Sequence, residues 1–439
     1  MGVGRRKFLQ RTAGVTTVAA IAGCTSSGGG DGTTTGSGGG DETTTSSDSD
    51  SLKIGVLLPF SGGYAWVGAN VLPVVKMLAE DVNSEGGING RNVTVVQGDT
   101  EASPDASVSA TDRLINVEGI DGLIGPTSIT MSAVIDTIIE NEVPTITPTA
   151  GTTSLDDRGG DYVFRTVSSD SLGGRAIARA ITDQQYNSLR DYERVALMVG
   201  NKEVFQSFKN PVQSSLEEFG ATVTTAMDIR TGKASYTSEV QQMMDSDPEV
   251  CVLVASVEDS VKITEAGFQA GYEGNWFLTQ DQTNQDFFDQ SENQVTSDML
   301  GLNAAPYQPA QESNRLDDFF GRIQEYAGWD TGEKVFATNT YDAMNVMALA
   351  MKQVVANDMD LSGPTVADAT RRVAKSPETK VTNYADGATA IESDTDIDYE
   401  GLVGPINFDD DGDIVAPFSV RIAQDGEWSE AGRLPPEDL

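Results

Sequence analysis

The sequence has 439 residues, which is long enough for two domains and a large buried core. Aspartate and glutamate total 67 against 29 lysine and arginine residues, and the chain contains no histidine. This acid excess excludes a nucleic-acid partner, because the phosphates would be repelled. The acids are spread along the chain rather than gathered in a tail, which is typical of a protein from a high-salt organism, where screening tolerates self-repulsion.

Residues 1–23 are predicted to form an export signal. The arginine pair at Arg5-Arg6 precedes the apolar stretch 13–22, which is too short to span a membrane, and a small-residue site ending in Cys24 follows. The Ala-Gly-Cys ending resembles the lipobox of bacterial and archaeal lipoproteins. This resemblance implies that Cys24 becomes lipidated after cleavage.

Residues 24–51 are predicted to form a flexible tether behind that cysteine. Residues 25–50 are all Gly, Ser, Thr, Asp or Glu, so this stretch has no apolar side chain to bury. We therefore expect a globular body held by a lipid anchor at the extracellular face of the cell membrane.

The body opens with short apolar runs, typical of buried strands, that alternate with segments of 3.6-residue apolar spacing, typical of helices. Val134, Ile135, Ile138 and Ile139, for example, share one helix face. The strands predicted in this first series are 52–58, 93–97, 122–124 and 145–147, and the helices are 71–84, 104–117 and 130–141.

A second series of the same kind follows. Its predicted strands are 195–199, 222–225, 250–254 and 276–278, and its predicted helices are 206–219, 235–246 and 259–271. Two such series predict an α/β protein with two doubly wound parallel-sheet lobes. Cys251 falls within the apolar strand 250–254 and is predicted to be a packed thiol rather than a reactive one.

The acidic run Asp409-Asp410-Asp411-Gly412-Asp413 suggests calcium, but a calcium loop needs glutamate at its twelfth position and Val420 stands there. We expect instead a hairpin turn between the apolar runs 406–408 and 414–418. Zinc would require histidine or clustered cysteine, and the chain offers neither, so no metal site is predicted.

Hydroxyl side chains follow two neighbouring strands of the first series. Thr127 and Ser128 come after the third strand, and Thr149 and Thr152 come after the fourth. Ligands of open α/β sheets bind beyond the carboxyl ends of the strands. Hydroxyls and free backbone N–H groups at this place can bind a carboxylate near the positive end of a helix. The alternative is that they are helix N-caps, a position that Ser and Thr favour.

The span from Leu52 to about Val420 resembles the periplasmic-type binding proteins of ABC importers, in the leucine/isoleucine/valine-binding family. That family also includes amide, urea and aromatic-acid binders. The stretches that carry the resemblance are, in order, IGVLLPFSGGYAWVG, DVNSEGGINGRNV, LIGPTS, VPTITPTAGT, DYVFRTVSSD, VFATNTYDAM and GPINFDDDGD.

The resemblance implies two lobes joined by three crossovers, at residues 165–166, 300–302 and 402–405. Lobe 1 would then comprise residues 52–166 and 302–402, and lobe 2 would comprise residues 167–301 and 403–439. The cleft between the lobes is expected to close on a ligand by a hinge motion.

The resemblance also implies which side chains meet the ligand. Lobe 1 would hold a carboxylate with hydroxyls and N–H groups, and an acid in lobe 2 would receive an ammonium. The ligand-binding residues predicted in this way are Ser128, Thr149 and Thr152 for the carboxylate, Asp281 for the ammonium, and Tyr64, Trp66 and Phe336 for the side-chain pocket.

The chain departs from the family pattern at three places. Ile129 stands where a second serine is common, Gly151 stands where a threonine is expected, and Val204-Phe205 replaces a Tyr-Gly pair of lobe 2. The identity of the lobe 1 hydroxyl that contacts the ligand therefore stays open among Thr127, Ser128, Thr149 and Thr152.

Enzyme classes find no support in the sequence, which lacks a histidine-based catalytic arrangement, a nucleophile elbow, a P-loop and a dinucleotide motif. The resemblance instead implies a monomeric, cofactor-free binding protein that delivers an amino acid, most readily a branched-chain one, to an ABC permease and ATPase. The alternatives are an amide or urea receptor of the same family, and a sensor subunit that presents its ligand to a chemotaxis transducer.

Overall fold

The computed structural model describes residues 51–291, 298–305, 307–375 and 379–439. The predicted export signal 1–23, the predicted lipidation site Cys24 and the tether up to residue 50 lie outside the described residues. Across the described ranges, no helix combines the length and the apolar character that a bilayer crossing requires.

The strands and helices alternate along most of the described chain. The strands are β1 Leu52–Leu58, β2 Val93–Asp99, β3 Gly122–Ile124, β4 Thr145–Thr147, β5 Val163–Arg165, β6 Arg194–Gly200, β7 Thr222–Ile229, β8 Val250–Val254, β9 Asn275–Leu278, β10 Leu300–Ala304, β11 Thr379–Val381, β12 Ile397–Tyr399, β13 Phe418–Gln424 and β14 Glu427–Leu434. The helices are α1 Ala65–Ser84, α2 Pro104–Arg113, α3 Ser128–Glu140, α4 Asp170–Thr182, α5 Gln184–Asn187, α6 Glu203–Gln206, α7 Lys209–Glu218, α8 Thr237–Met244, α9 Val257–Ala270, α10 Gln285–Gln290, α11 Gln308–Glu312, α12 Arg315–Ala327, α13 Ala337–Ala356, α14 Gly363–Val373 and α15 Tyr384–Glu392.

Two main sheets define the two lobes. The sheet of lobe 1 has the order β2-β1-β3-β4-β5 and is parallel throughout. The sheet of lobe 2 has the order β14-β13-β10-β9-β8-β6-β7, in which β13 runs antiparallel to both of its neighbours. The predicted α/β class with two parallel-sheet lobes is confirmed, and lobe 2 adds an antiparallel pair at one edge.

The alternation of β1 shows why the sheet of lobe 1 is buried on both faces. Leu52, Ile54, Val56 and Leu58 point into the core formed with α1 and α13, whereas Leu57 points into the core formed with α2 and α3. Because both faces are covered, the strand is apolar along nearly its whole length. Lobe 2 repeats this arrangement, and Cys251 of β8 is buried there as a free thiol whose pKa is raised by burial.

Several predicted helices differ from the observed ones at their ends. Helix α1 begins at residue 65 rather than 71 and continues through Pro73. The predicted helix 104–117 changes to a π turn over residues 114–118. The predicted helix 206–219 is observed as α7 and begins at residue 209, while residues 203–206 form the separate short helix α6, whose buried Phe205 lies against Gly200 of β6.

The second and third crossings between the lobes come later in the chain than predicted. Strand β10 lies wholly in the sheet of lobe 2, so the predicted boundary at 302 falls inside a strand. Ile406, Phe408, Ile414 and Ala416 pack in the core of lobe 1, so the last crossing comes just before β13 rather than at 403. Sequence motifs located these crossings only approximately, because lobe membership depends on packing between distant segments.

The acidic run Asp409–Asp413 forms a turn but not the predicted hairpin. The Asp409 N–H donates to the Asp413 carbonyl at 3.0 Å, yet neither flank of the turn is a strand. The turn packs instead on lobe 1, where the Arg165 N–H donates to the Gly412 carbonyl at 3.0 Å. No group of acidic or cysteine side chains suited to a metal ion occurs in the part of the chain that the structure describes.

Candidate ligand-binding site

A cavity of about 150 Å³ lies between the lobes, at the carboxyl ends of their parallel strands. Loops after β1, β3 and β4 line it from lobe 1, and loops after β6, β9 and β10 line it from lobe 2. This is where open α/β sheets bind ligands. An engineered cavity of similar volume in another protein accommodates benzene, so the site suits a small molecule rather than a polymer.

Six of the seven predicted ligand-binding residues line this one cavity. The structure brings together Tyr64, Trp66, Ser128, Thr149, Asp281 and Phe336. Thr152 is buried behind the wall and does not line the cavity. Its hydroxyl accepts a hydrogen bond from the Ser154 N–H at 3.4 Å, because it caps a short 3-10 turn. The prediction that Thr152 contacts the ligand is therefore not supported by its position.

Thr127 is the lobe 1 hydroxyl with the greatest freedom to meet a ligand. It is the N-cap residue of α3 but makes no side-chain cap, and its buried hydroxyl has no hydrogen-bond partner among the described residues. The first N–H groups of a helix also lack partners within the helix. Within the described chain, the N–H groups of Ser128 and Ile129 make no hydrogen bond. These three donors at the positive end of α3 have the chemistry needed to bind an anionic group.

The neighbouring hydroxyls already take part in hydrogen bonds, Ser128 as an acceptor only and Thr149 as a donor. The Ser128 Oγ accepts from the Thr152 N–H at 3.3 Å, and the Thr149 hydroxyl donates to the Pro126 carbonyl at 3.3 Å. The Thr147 hydroxyl donates to the same carbonyl at 2.7 Å. These bonds tie the loop after β4 to the loop after β3, so both present their backbone to one place.

Lobe 2 contributes Asp281, which follows β9 on a short 3-10 turn. The Gln282 side chain accepts from the Thr279 N–H and hydroxyl, each at 2.7 Å, and fixes that turn. Among the residues that the structure describes, none donates a hydrogen bond to the Asp281 carboxylate or forms an ion pair with it. Burial raises the pKa of Asp281. An unpaired carboxylate in such a place would be stabilised by a cation.

A second acid, Asp170, lines the cavity and was missed in the sequence. It opens α4, is only 8% exposed, and its N–H donates to the Gly151 carbonyl at 2.7 Å. Burial raises its pKa to about 7, although a hydrogen bond from Ser207 and the charge of Arg165 act in the opposite direction. The sequence contained a clue to Asp170, because this residue ends the DYVFRTVSSD stretch that carries the family resemblance and directly follows the N-cap Ser169.

Aromatic side chains form the wall on the side of lobe 1. Trp66 stacks on Phe336 with ring centroids 6.1 Å apart and an interplanar angle of 8°. Burial and the nearby Asp281 raise the pKa of Tyr64. Lobe 2 adds apolar surface at Val204, where the family resemblance led us to expect a changed contact.

The hinge side of the cavity is held by Arg165, the last residue of β5. Its side chain is fully buried and forms ion pairs with Asp156, at 2.5 Å, and with Asp413. It also donates to the carbonyls of Gly151 and Thr152, at 3.0 and 3.1 Å. One guanidinium therefore joins the first and last crossings to the loop that carries the cavity wall.

The charges of the cavity select among ligand types. The lining residues that the structure describes include two carboxylates and no lysine or arginine. This environment favours a ligand with a positive group, whereas the donors at the start of α3 favour a negative one. The two ends together fit a zwitterion with an apolar part.

The sequence profile of a family described as "Periplasmic binding protein" matches residues 51–426. A similar curated protein is the Leu/Ile/Val/Thr-binding protein of Salmonella typhimurium, 26% identical over 196 residues. That match covers 44% of this chain and 52% of the relative, so the chain spans about half the length of the curated relatives that it matches first.

Solved structures share the fold. A leucine binding protein from Thermotoga maritima has a TM-score of 0.70 at 20% identity, covering 88% of this chain and 100% of that one. A solute binding protein from R. palustris in complex with benzoate has a TM-score of 0.68 at 18% identity, covering 88% and 97%. Because the family profile covers most of the sequence, this chain belongs to the periplasmic binding protein family, a family of binding proteins and not of enzymes.

Proposed function

We propose that this protein is an extracellular, lipid-anchored solute-binding protein that captures an amino acid between its lobes and delivers it to an ABC importer. Branched-chain amino acids are the ligand class we favour. The names of similar proteins, which refer to leucine or to leucine, isoleucine, valine and threonine, support this choice.

The observation that carries the proposal is that polar groups without a hydrogen-bond or ion-pair partner lie on both sides of the cavity. Lobe 1 offers the Thr127 hydroxyl and the free N–H groups at the start of α3, and lobe 2 offers the unpaired carboxylate of Asp281. An amino acid would satisfy both, with its carboxylate on lobe 1 and its ammonium on lobe 2. Because the ligand would then bridge the lobes, its binding would favour closure.

The wall between these two ends is apolar. Trp66, Phe336 and Val204 supply surface on which an aliphatic side chain can be buried, at about 25 cal/mol per Å² of apolar area. A ligand with a hydrocarbon side chain gains this contribution, whereas urea does not. The wall therefore favours a branched-chain amino acid over the amide and urea alternatives.

The benzoate-binding neighbour raises another alternative, an aromatic acid. Such a ligand has a carboxylate but no ammonium, so Asp281 would stay unpaired beside it, which costs free energy in a closed cleft. The second acid, Asp170, adds to the repulsion only above its pKa of about 7, where it is ionised. We therefore place aromatic acids below amino acids.

A thermal-shift panel tests the ligand class, with each compound compared with a matched partner. L-leucine should stabilise the protein, whereas 4-methylpentanoate, which lacks the ammonium, and L-leucinamide, which lacks the carboxylate, should not. Acetamide, urea and benzoate complete the panel. A ligand at a hundred times its dissociation constant adds about 2.7 kcal/mol, which such an assay detects readily. Stabilisation by benzoate or urea, but not by any amino acid, would replace this proposal with the corresponding alternative.

The anchor and the export route are separate parts of the proposal. Cys24→Ser should release the protein from the membrane fraction or stall its maturation, and unchanged membrane association would contradict lipidation.

Replacement of Arg5-Arg6 by two lysines should block export of the folded protein. Normal export of that variant would indicate a route for unfolded chains.

The same binding chemistry would serve a sensor as well as an importer. Genes for a permease and an ATPase next to this one would favour import, and a neighbouring gene for a chemotaxis transducer would favour sensing. We propose import as the function, because the relatives named as branched-chain amino acid transporter components share this fold.

A further inference from the structure

The segment that follows β6 reaches across the cleft. Residues 202–207, which we name the cross-cleft segment, comprise Lys202, helix α6 and Ser207. This is the place where Val204-Phe205 replaces the pair expected from the family resemblance. Its contacts with lobe 1 are not explained by ligand binding.

Three side chains of the segment contact lobe 1. Glu203 accepts a hydrogen bond from the Ser132 hydroxyl of α3. The Ser207 hydroxyl accepts from the Thr153 N–H at 3.0 Å. The ammonium of Lys202 lies 5.6 Å from the centre of the Tyr64 ring. The partners come from three different loops and helices of lobe 1, so the segment joins the lobes along the cleft rim.

The segment is fixed firmly to lobe 2. Phe205 is buried and packs so closely on Gly200 that a Cβ atom at that glycine would lie 2.5 Å from the ring. The Gln206 amide donates to the Gly200 carbonyl at 2.8 Å and to the Asp228 carboxylate at 2.9 Å. A contact made by this segment therefore acts on the whole of lobe 2.

The three contacting side chains lie outside the cavity wall. Val204 and Phe205 line the cavity, but Lys202, Glu203 and Ser207 do not, and neither does Ser132. These four residues therefore cannot select the ligand by touching it. Their contacts exist only while the lobes are close together, so they contribute free energy to the closed form alone.

We propose that the cross-cleft segment is a closure latch, in which Glu203 and Ser207 are positioning residues that hold the lobes together and slow the release of the ligand. Glu203 and Ser132 are exposed at the rim, so their hydrogen bond has a modest net strength. Loss of one such bond corresponds to a change of about threefold to tenfold in an equilibrium constant.

The first test measures ligand release, with L-leucine as the probe, and therefore rests on the proposed function. Stopped-flow tryptophan fluorescence should show that Glu203→Ala and Ser132→Ala each release leucine about three to ten times faster, with the association rate nearly unchanged. Glu203→Gln keeps an acceptor oxygen and should release leucine at nearly the parent rate. Glu273→Ala, which removes an exposed acid of the same lobe away from the cleft, is the matched control.

A double variant identifies the contact itself. If Glu203 and Ser132 act through each other, the variant with both alanines should release leucine no faster than the single variants do. Additive effects, or a Glu203→Ala variant that releases leucine at the parent rate, would overturn the latch.

A second measurement separates the latch from the choice of ligand. Cysteines at Ser132→Cys and Glu203→Cys should be joined by a short bifunctional maleimide, whereas the control pair Ser132→Cys and Glu273→Cys should not. The native Cys251 is buried and common to both variants. Cross-linking of the first pair without leucine binding would leave the latch standing and reject leucine as the ligand. Absence of cross-linking, with or without leucine, would reject the latch.

Discussion

Two aspartates, the buried Asp342 and the partly buried Asp281, differ sharply in how their charge is accommodated. Asp342 of α13 is fully buried and accepts three hydrogen bonds, each of 2.9 Å, from the Tyr399 hydroxyl and the N–H groups of Leu402 and Val403. Asp281, in the cleft, receives none from any described residue. Burial raises the pKa of both carboxyls. A carboxylate with a full set of donors has its charge satisfied within the fold, whereas one without donors is left to be satisfied from outside the chain, as our proposal requires of Asp281.

The difference between the two aspartates predicts opposite outcomes when each is replaced by asparagine. Replacement of Asp281 should weaken ligand binding and leave stability unchanged. Asp281→Asn removes the anionic partner of the ligand ammonium, which typically costs about 2–5 kcal/mol, so leucine affinity should fall roughly thirtyfold or more. The unliganded protein should not lose stability, because no donor is left unpaired. Calorimetric titration and chemical denaturation measure the two effects. Unchanged leucine binding, together with loss of binding in Ser128→Ala, would indicate a ligand without an ammonium.

Asp342→Asn should do the reverse. The amide would place a donor against one of the three groups that now donate to the carboxylate, so the free energy of unfolding should fall by about 2–4 kcal/mol. Leucine affinity should change little, because Asp342 does not line the cavity. Denaturant titration measures the loss, with Glu140→Gln at the exposed end of α3 as control. A stable Asp342→Asn variant would contradict the structural role.

The second acid of the cleft, Asp170, should make the free energy of unfolding depend on pH. Its pKa is raised to about 7 by burial, against about 3.9 for an unfolded aspartate. Between these values the folded state keeps a proton that the unfolded state has lost, so the free energy of unfolding should fall as pH rises. Three pKa units at about 1.4 kcal/mol each set an upper bound of about 4 kcal/mol on the decrease, and Asp170→Asn should remove it. Asp342, whose pKa is also raised to about 7, should leave a residual slope of the same sign.

Denaturant titrations of the unliganded protein across this pH range measure both slopes. An unchanged slope in Asp170→Asn would show that Asp170 does not hold a proton in the folded state.

The smallest predicted effect concerns the lobe 1 hydroxyls. Thr127→Val should weaken leucine binding by about 1–2 kcal/mol, because its hydroxyl has no partner until the ligand arrives. Thr149→Val should weaken it less, since that hydroxyl already donates to the Pro126 carbonyl. Calorimetric titration of the two variants decides the order, and a larger effect at Thr149 would reassign the contact.

The sequence predicted the architecture well because alternating apolar runs reflect local periodicity and burial. The strands and helices around Thr127, Thr149 and Asp281 could therefore be placed, and so could the cavity at the strand ends. The different surroundings of the Thr127 and Ser128 hydroxyls could not be predicted, since they depend on where α3 begins and on the Thr152 N–H that donates to the Ser128 Oγ.

Asp170 and the lobe boundaries escaped prediction for a related reason. The burial of Asp170 depends on Ser207 and on the Gly151 loop, which come from elsewhere in the chain. The crossing before β13 depends on residues such as Phe408 packing into a core begun some 350 positions earlier, at Leu52. The spacing of motifs along the chain does not predict contacts between residues that lie hundreds of positions apart.

The interleaved lobes have a consequence for biosynthesis. The core of lobe 1 needs residues up to Ala416, and the sheet of lobe 2 needs β13 and β14 near the C-terminus. Neither core can therefore be completed before these late segments have been synthesised. Lobes that must wait for their last segments suit an export route that carries folded cargo, which is the route that the Arg5-Arg6 pair predicts.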